Sequence, residues 1–336
     1  MVVYGANWPT LSDVAKRTDP NGAIAKIGEV LHQQNEVLDD IPFIEGTLAI
    51  GTQGTIRTEL PTSYWRLANR GVPTSKSRTR QFIDTTGMLE AFSHVDCDVA
   101  KDQGNEKAFR WSEDKAFIES MNQEFVSTLL YGNSGTNPEE FLGFMPRYSD
   151  PTGENGDNVV DGGGGGAATD LTSILIVVWG DNTVHGIYPK GTVSGLMSED
   201  LGRIRVEDED GLPFMAYVSH FQWKCGLHIK DWRYAYRICN LSIADVIPDP
   251  ITGLVAANMI QLLVEALEAI PNLNAGRPAI YCNRQLRTAL RLQINNARNV
   301  HLSIEEIAGR KVLAFDGVPV RRCDALNIGE DQVLGF

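Results

Sequence analysis

GTLAIGTQGTIRTELPTSYWRLANRGVPTSKSRTR, residues 46–80, is the stretch whose charge runs against the rest of this 336-residue chain. It holds six basic residues, Arg57, Arg66, Arg70, Lys76, Arg78 and Arg80, and one acidic residue, Glu59, in a protein of formal net charge −13. Two extended pieces, 47–50 and 55–60, flank Gly51-Thr52-Gln53-Gly54. Glycines there permit a tight turn, so the spacing predicts a hairpin. Pro61, Gly71 and Pro73 interrupt regular structure beyond it, with Tyr64 and Trp65 among the cations. So long a span with so little core pattern of its own fits a segment that is either disordered or engaged with a partner. The acidic remainder of the chain repels phosphate backbones, which argues against sequence-reading of DNA. A basic arm on an acidic body points instead to another copy of the same chain, where charge sets register more than affinity.

Outward from the arm, residues 1–45 carry a helical stripe through Ile24, Ile27, Leu31, Asn35 and Leu38 that stops before Ile41-Pro42. A short strand is expected at 89–100, then a long helix at 112–131 with Ser112 as its cap, Phe117, Met121, Phe125 and Leu129 at every fourth position, and Gly132 at its stop. Residues 149–170 are rich in Gly, Asp and Asn and read as a flexible linker and a domain boundary. Strands follow at 173–179 and through Val184, Ile187 and Tyr188. Apolar alternation through Phe221, Trp223, Cys225, Leu227 and Ile229 marks a strand with one buried face, its partner lying across the acidic turn at 207–211. A helix at 252–270, a strand at 278–282, a helix capped by Asn283 and running to about Ala297, and a hairpin around Asp316-Gly317 complete an α+β chain without internal repeats.

Chemistry is scarce. Gly162 to Gly166 lack the following Gly-Lys-Ser/Thr of a phosphate loop, which leaves the linker reading. His220 and His228 share a strand face but stand about 26 Å apart at strand rise, too far for one metal, and read as surface histidines. His94, Asp96 and Asp98 alternate along a strand face and lack a further clustered ligand. Cys282 and Cys323 neighbour arginines but no identifiable histidine partner, so the five cysteines, with Cys97, Cys225 and Cys239, read as small buried apolar residues rather than nucleophiles or disulfides. Arg284, Arg287, Arg291 and Arg298 fall on the face of a helix opposite Leu286, Leu290 and Ile294, a solvated stripe on periodicity alone. Neither a membrane span nor a signal peptide is indicated. No catalytic residue, cofactor or metal is expected.

IGEVLHQQNEVLDDIPFIEG, TELPTSYWRLANRGV, DNTVHGIYPKG, HFQWKCGLHIKDWRYAYRICN and FDGVPVRRCDAL resemble the capsid proteins of short-tailed phages of the epsilon-fifteen type, and the likeness extends over nearly the full length. The resemblance implies a Hong Kong 97-like α+β fold: an N-terminal arm at 1–45, an extended β-hairpin loop at 46–80, a peripheral domain at 81–160 with a spine helix at 112–131, an axial domain at 161–330 that contributes to the peripheral sheet, and a C-terminal tail at 331–336. It implies self-assembly into hexamers and pentamers of an icosahedral head around double-stranded DNA held without sequence-specific contacts. The contact residues would be Arg57, Glu59, Tyr64, Trp65, Arg66, Arg70, Lys76, Arg78 and Arg80. Further implied partners are a portal, a cement or decoration protein and, because the hairpin begins as early as Gly46, a separate scaffolding protein; no membrane is involved. The protein would reside in the virion after assembly in the host bacterial cytoplasm. Some relatives cross-link this loop through a lysine, but a tip at residues 50–54 has none, and Lys76 would lie toward the base. The alternative from another class is a β-rich tail-associated or secreted binding module or hydrolase, which needs a concave site with convergent polar groups.

Overall fold

The computed structural model describes residues 33–102, 105–165, 168–207, 211–247, 258–293, 302–307 and 310–336. Expectations placed on Ile24, Ile27, Leu31, Gly166, Asp208 to Asp210, Val255, Ile294 and Arg298 lie outside them. In chain order the strands are β1 (Phe43–Glu45), β2 (Gly51–Glu59), β3 (Arg78–Asp96), β4 (Val159–Asp161), β5 (Leu171–Trp179), β6 (Val184–Tyr188), β7 (Met197–Glu207), β8 (Pro213–Ile229), β9 (Ala235–Ser242), β10 (Arg277–Cys282), β11 (Leu302–Ile307), β12 (Arg310–Phe315) and β13 (Val318–Arg322). The described residues fall into two compact units, one built from Met88–Phe125 and Gly195–Lys224, the other from Gln34–Gly87, Val126–Ser194 and Cys225–Phe336.

In the second unit β5 is the central strand, and every residue of its LTSILIVVW run is buried. The continuous apolar run at 174–179 belongs to a strand covered on both faces. β5 pairs antiparallel with β9 (Ile176↔Tyr236) and with β10 (Ile176↔Ile280). β10 continues in parallel to β13, and β12 and β11 extend the sheet antiparallel from there. The β12–β13 turn is Asp316-Gly317, both at positive φ (47° and 78°), as the sequence predicts for a two-residue hairpin. Two helices bury their apolar stripes on this sheet: Met259–Ala269 through Met259, Leu263 and Ala266, and Arg284–Gln293 through Leu286 and Leu290. Asn283 caps the latter, its Oδ1 accepting the Leu286 N–H at 2.9 Å. Each such aliphatic side chain contributes roughly 1.5–3 kcal/mol on burial.

The first unit holds β7 paired with β8 from Met197↔Gln222 to Glu207↔Pro213, with a bulge between Asp200 and Gly202. Phe125 stacks on Trp223 with ring centroids 4.4 Å apart. Val95, Ala100 and Phe109 form a small core of their own. Arg110 closes the side of this unit by donating to Asp200 at 2.6 Å.

Five sequence expectations are corrected. The long helix runs Glu106–Tyr131, about 39 Å at 1.5 Å per residue, rather than starting at 112. Its first turn is capped by Asn105, whose Oδ1 accepts the Ala108 N–H at 3.2 Å, whereas Ser112 lies inside the helix and bonds the Phe109 carbonyl. The expected strand at 89–100 is part of the 19-residue β3, which ends at Asp96. Asp98 therefore leaves the strand face of His94 and Asp96 for the helix Cys97–Asp102, where Asp96 Oδ1 accepts its N–H at 2.7 Å. Finally, the glycine run is docked rather than free. Gly162 and Gly164 donate their N–H groups to the carbonyls of Cys239 and Asn240, both at 2.8 Å, continuing the β4–β9 pairing. A Cβ on Gly164 would lie 2.4 Å from the Asn240 carbonyl oxygen, so the glycines are there for close backbone approach.

Candidate subunit interface

The hairpin differs from its sequence expectation in register. Residues 51–54 are strand rather than turn: Gly51 pairs with Thr85 and Gly54 with Phe82, and the antiparallel ladder runs out to Glu59↔Arg78. Gly51 and Gly54 serve close approach, since a Cβ on the first would sit 2.1 Å from the Asp84 carbonyl and on the second 2.4 Å from the Phe82 ring. The excursion between the two strands is therefore residues 60–77, all exposed, with a hydrogen-bonded turn from Leu67 to Arg70 and Asn69 at φ 66°.

Each expected contact residue is exposed. Arg57 ends the regular ladder beside a bulge. Glu59 pairs with Arg78 at 3.2 Å, and Arg80 with Glu154 at 3.2 Å. Within the excursion, Arg66 Nε donates to the Arg70 carbonyl at 2.8 Å and Ser75 to the Thr62 carbonyl at 2.8 Å, which give the loop some internal shape. Among the described residues no carboxylate pairs with Arg57, Arg66, Arg70 or Lys76. Trp65 is fully exposed, at 104% of its reference surface, and Leu60, Leu67, Tyr64 and Val72 are exposed with it. Lys76 belongs to this excursion and not to the base, so the absence of a lysine from residues 50–54 says nothing about a cross-link.

Beneath the hairpin lies a buried polar cluster that local pattern did not reveal. Asp84 of β3 accepts from Arg147 Nη2 at 2.8 Å and lies 2.7 Å from His228 Nδ1 of β8. Burial alone would raise the Asp84 carboxyl, but the His228 bond and the Arg147 charge outweigh it and hold the group below its ordinary 3.8. His228 is 4% exposed, which corrects its reading as a surface histidine. Its ring stacks on Phe82 at 5.4 Å and meets His185 edge-on at 5.0 Å. His185 is pushed down to about 4 by burial and by the neighbouring His228. The signal available in sequence was only that His228 sits between Leu227 and Ile229, at a position the alternation assigns to the opposite face.

A second buried charge holds the chain's end. Arg237 Nη2 donates to Glu330 at 2.9 Å, and its other donors reach Ser173 and the carbonyls of Met145 and Tyr148. Asn240, at φ 53°, grips the backbone of Val333 through both ends of its amide at 2.8 Å. The five cysteines are buried and unbridged, and burial pushes Cys225, Cys239, Cys282 and Cys323 up to about 12, which suits packing rather than nucleophilic attack. Arg284 and Arg291 are exposed as expected, but Arg287 is half-buried and pairs with Glu36 at 3.3 Å instead of facing solvent.

The sequence model of the family described as Major capsid protein GP7 matches residues 19–334. No curated protein matches the chain. Among solved structures, a chain of bacteriophage Epsilon15, determined by cryo-electron microscopy, is 31% identical over 99% of both chains with a TM-score of 0.78. A chain of the bacteriophage JBD30 capsid is 11% identical, covers 90% of this chain and 96% of its own, and has a TM-score of 0.52, a likeness of fold.

Proposed function

Since the chain belongs to the major capsid protein GP7 family, a structural and not an enzymatic family, and folds as a Hong Kong 97-like tailed-phage capsid protein of the virion, we propose that residues 57–80 form its principal contact with a neighbouring subunit. The other class considered, a β-rich binding module or hydrolase, has no support from the family or its relatives. One observation carries the proposal: residues 60–77 expose Trp65, Leu67 and Tyr64 beside three cations, Arg66, Arg70 and Lys76, that lack a carboxylate partner among the described residues. Large apolar groups presented together with uncompensated charge are a contact surface awaiting its complement.

On this reading residues 46–80 are the extended loop, 81–160 the peripheral domain around the spine helix, and 161–330 the axial domain, with 1–45 and 331–336 as arm and tail. Copies associate into hexamers and pentamers of an icosahedral head. The loop's positive charge meets acidic surface of the adjacent copy, while the net negative charge of the chain encloses double-stranded DNA without gripping it. Assembly takes place in the host bacterial cytoplasm with a separate scaffolding protein, a portal and a cement or decoration protein. Exposed ion pairs contribute only ~0–1 kcal/mol each, but a closed shell repeats every contact many times. Replacing Arg57, Arg66 and Arg70 by Glu should therefore abolish most closed shells in a sedimentation assay; an unchanged shell yield would refute the role of the loop.

A further inference from the structure

We propose that the cavity at the foot of the arm receives Trp65 of a second copy, with that copy's Arg66 and Arg70 set against the acidic loop beside it; the proposal rests on reading residues 60–77 as an inter-subunit contact. The cavity measures 290 Å³, and Ile56, Phe82, Tyr148, Ile229 and Trp232 supply its apolar wall. That is just below the ~300–1,000 Å³ of sites that enclose small ligands, and it suits one large side chain better than a cofactor.

The two guanidinium groups of the lining are already paired with carboxylates, and the lysine is hydrogen-bonded to a neutral amide. Arg147 is paired with Asp84 at 2.8 Å and Arg80 with Glu154 at 3.2 Å, while Lys230 Nζ donates to Asn182 at 2.7 Å. Guanidinium groups held this way are suited to lie against an indole ring rather than to capture an anion. A buried indole also needs an acceptor for its N–H, and the Glu154 carboxylate, whose side chain is 81% exposed on the rim, provides one.

Charge and shape then select the occupant. The segment Asp150-Pro151-Thr152-Gly153-Glu154-Asn155-Gly156-Asp157, of which Glu154 and Asn155 line the cavity, has three carboxylates and no base. Trp65 is uncovered by any described residue of its own subunit and is followed at once by Arg66, whose Nε bond to the Arg70 carbonyl keeps these two basic residues close together. An aromatic knob followed by cations thus matches an apolar hole that adjoins an acidic segment, and both halves occur once in every copy. That is the arrangement a head-to-tail ring of identical subunits requires. The acidic surface that the loop needs is then residues 150–157.

Disulfide trapping tests the contact in assembled shells. Particles carrying Trp65→Cys with Asn155→Cys, oxidised and with remaining thiols blocked before denaturation, should run as a ladder of covalent oligomers. Either single variant, and Trp65→Cys with the exposed Glu268→Cys, should run as single chains. Single chains from the first pair, or an equal ladder from the Glu268 pair, would overturn the assignment. If Trp65→Cys subunits fail to close shells, a charge exchange decides instead. Arg66→Glu with Arg70→Glu should lower shell yield about tenfold, and adding Asp150→Lys with Glu154→Lys should restore at least half of the loss. An arm reversal that the second pair does not cure overturns the cavity as its partner but leaves the arm's role standing. No effect of the arm reversal removes the arm's role itself.

Discussion

Asp84 is the residue on which the footing of the arm depends. Its carboxylate is enclosed between Arg147 and His228, so removing it leaves the largely buried Arg147 guanidinium without its counter-charge. Breaking a buried pair from one side costs about 3–5 kcal/mol, far more than deleting an exposed one. Asp84→Ala should lower subunit stability by that order in urea unfolding, with double replacement of Asp84 and Arg147 by apolar residues less damaging than the single change. Titration adds a second expectation. An unfolded histidine takes a proton near pH 6.5, but His185 resists it until about 4. The stability it contributes is complete above pH 6.5 and drains away as pH falls toward 4. The depressed Asp84 adds a loss only in stronger acid, below its ordinary 3.8. Urea midpoints measured across that range should decline on acidification in the native protein and decline less in His185→Gln.

At the scale of elements, β9 is the strand that ties remote segments together. Through Asn240 it holds the carbonyl and N–H of Val333, and it also donates to Asp161, while its backbone carbonyl accepts from Gly164. The amide can do this because residue 240 adopts a left-handed conformation, which Asn tolerates better than most residues. Gly164→Ser should destabilise the subunit by ~1–3 kcal/mol, since its Cβ would meet the Asn240 carbonyl at 2.4 Å and the strand must shift. Gly71→Ser, at a position where an added Cβ meets nothing within 4 Å, should be near neutral in the same urea titration. A linker would tolerate both changes alike, so the contrast separates a docked glycine run from a flexible one.

For the molecule as a unit of assembly, apolar burial rather than charge should set particle strength. Arg78 already has Glu59 as its partner within the subunit, and both are exposed, so deleting it removes ~0–1 kcal/mol. Trp65 presents a whole indole to solvent, and covering an aromatic of 150–250 Å² at ~25 cal/mol per Å² contributes several times more. Shells of Trp65→Ala should therefore open at lower temperature or denaturant than shells of Arg78→Ala, as followed by light scattering. Native shells should lose little in moderate salt. Shells that survive Trp65→Ala but dissolve in salt would reverse that order.

The sequence by itself determined what depends on neighbours along the chain. The apolar 174–179 run of β5, the Asn283 cap, the Asp316-Gly317 turn, the amphipathic stripe of Met259–Ala269 and the isolated positive charge of residues 46–80 are all local, and periodicity, capping and turn chemistry read them directly. The family likeness carried by wording over the whole chain came from the same source. Only tertiary structure decided which residues meet across long separations. Gly51 to Gly54 look like a turn because the glycine spacing is that of a turn, yet they are strand, because Asp84, Phe82 and His228 approach too closely for a side chain. The glycine run resembles a linker until β9 is set beside it. Asp84, Arg147 and His228, and likewise Arg237 and Glu330, lie 63 to 144 and 93 positions apart, and their pairing exists only once burial removes the water that would otherwise keep each charge alone.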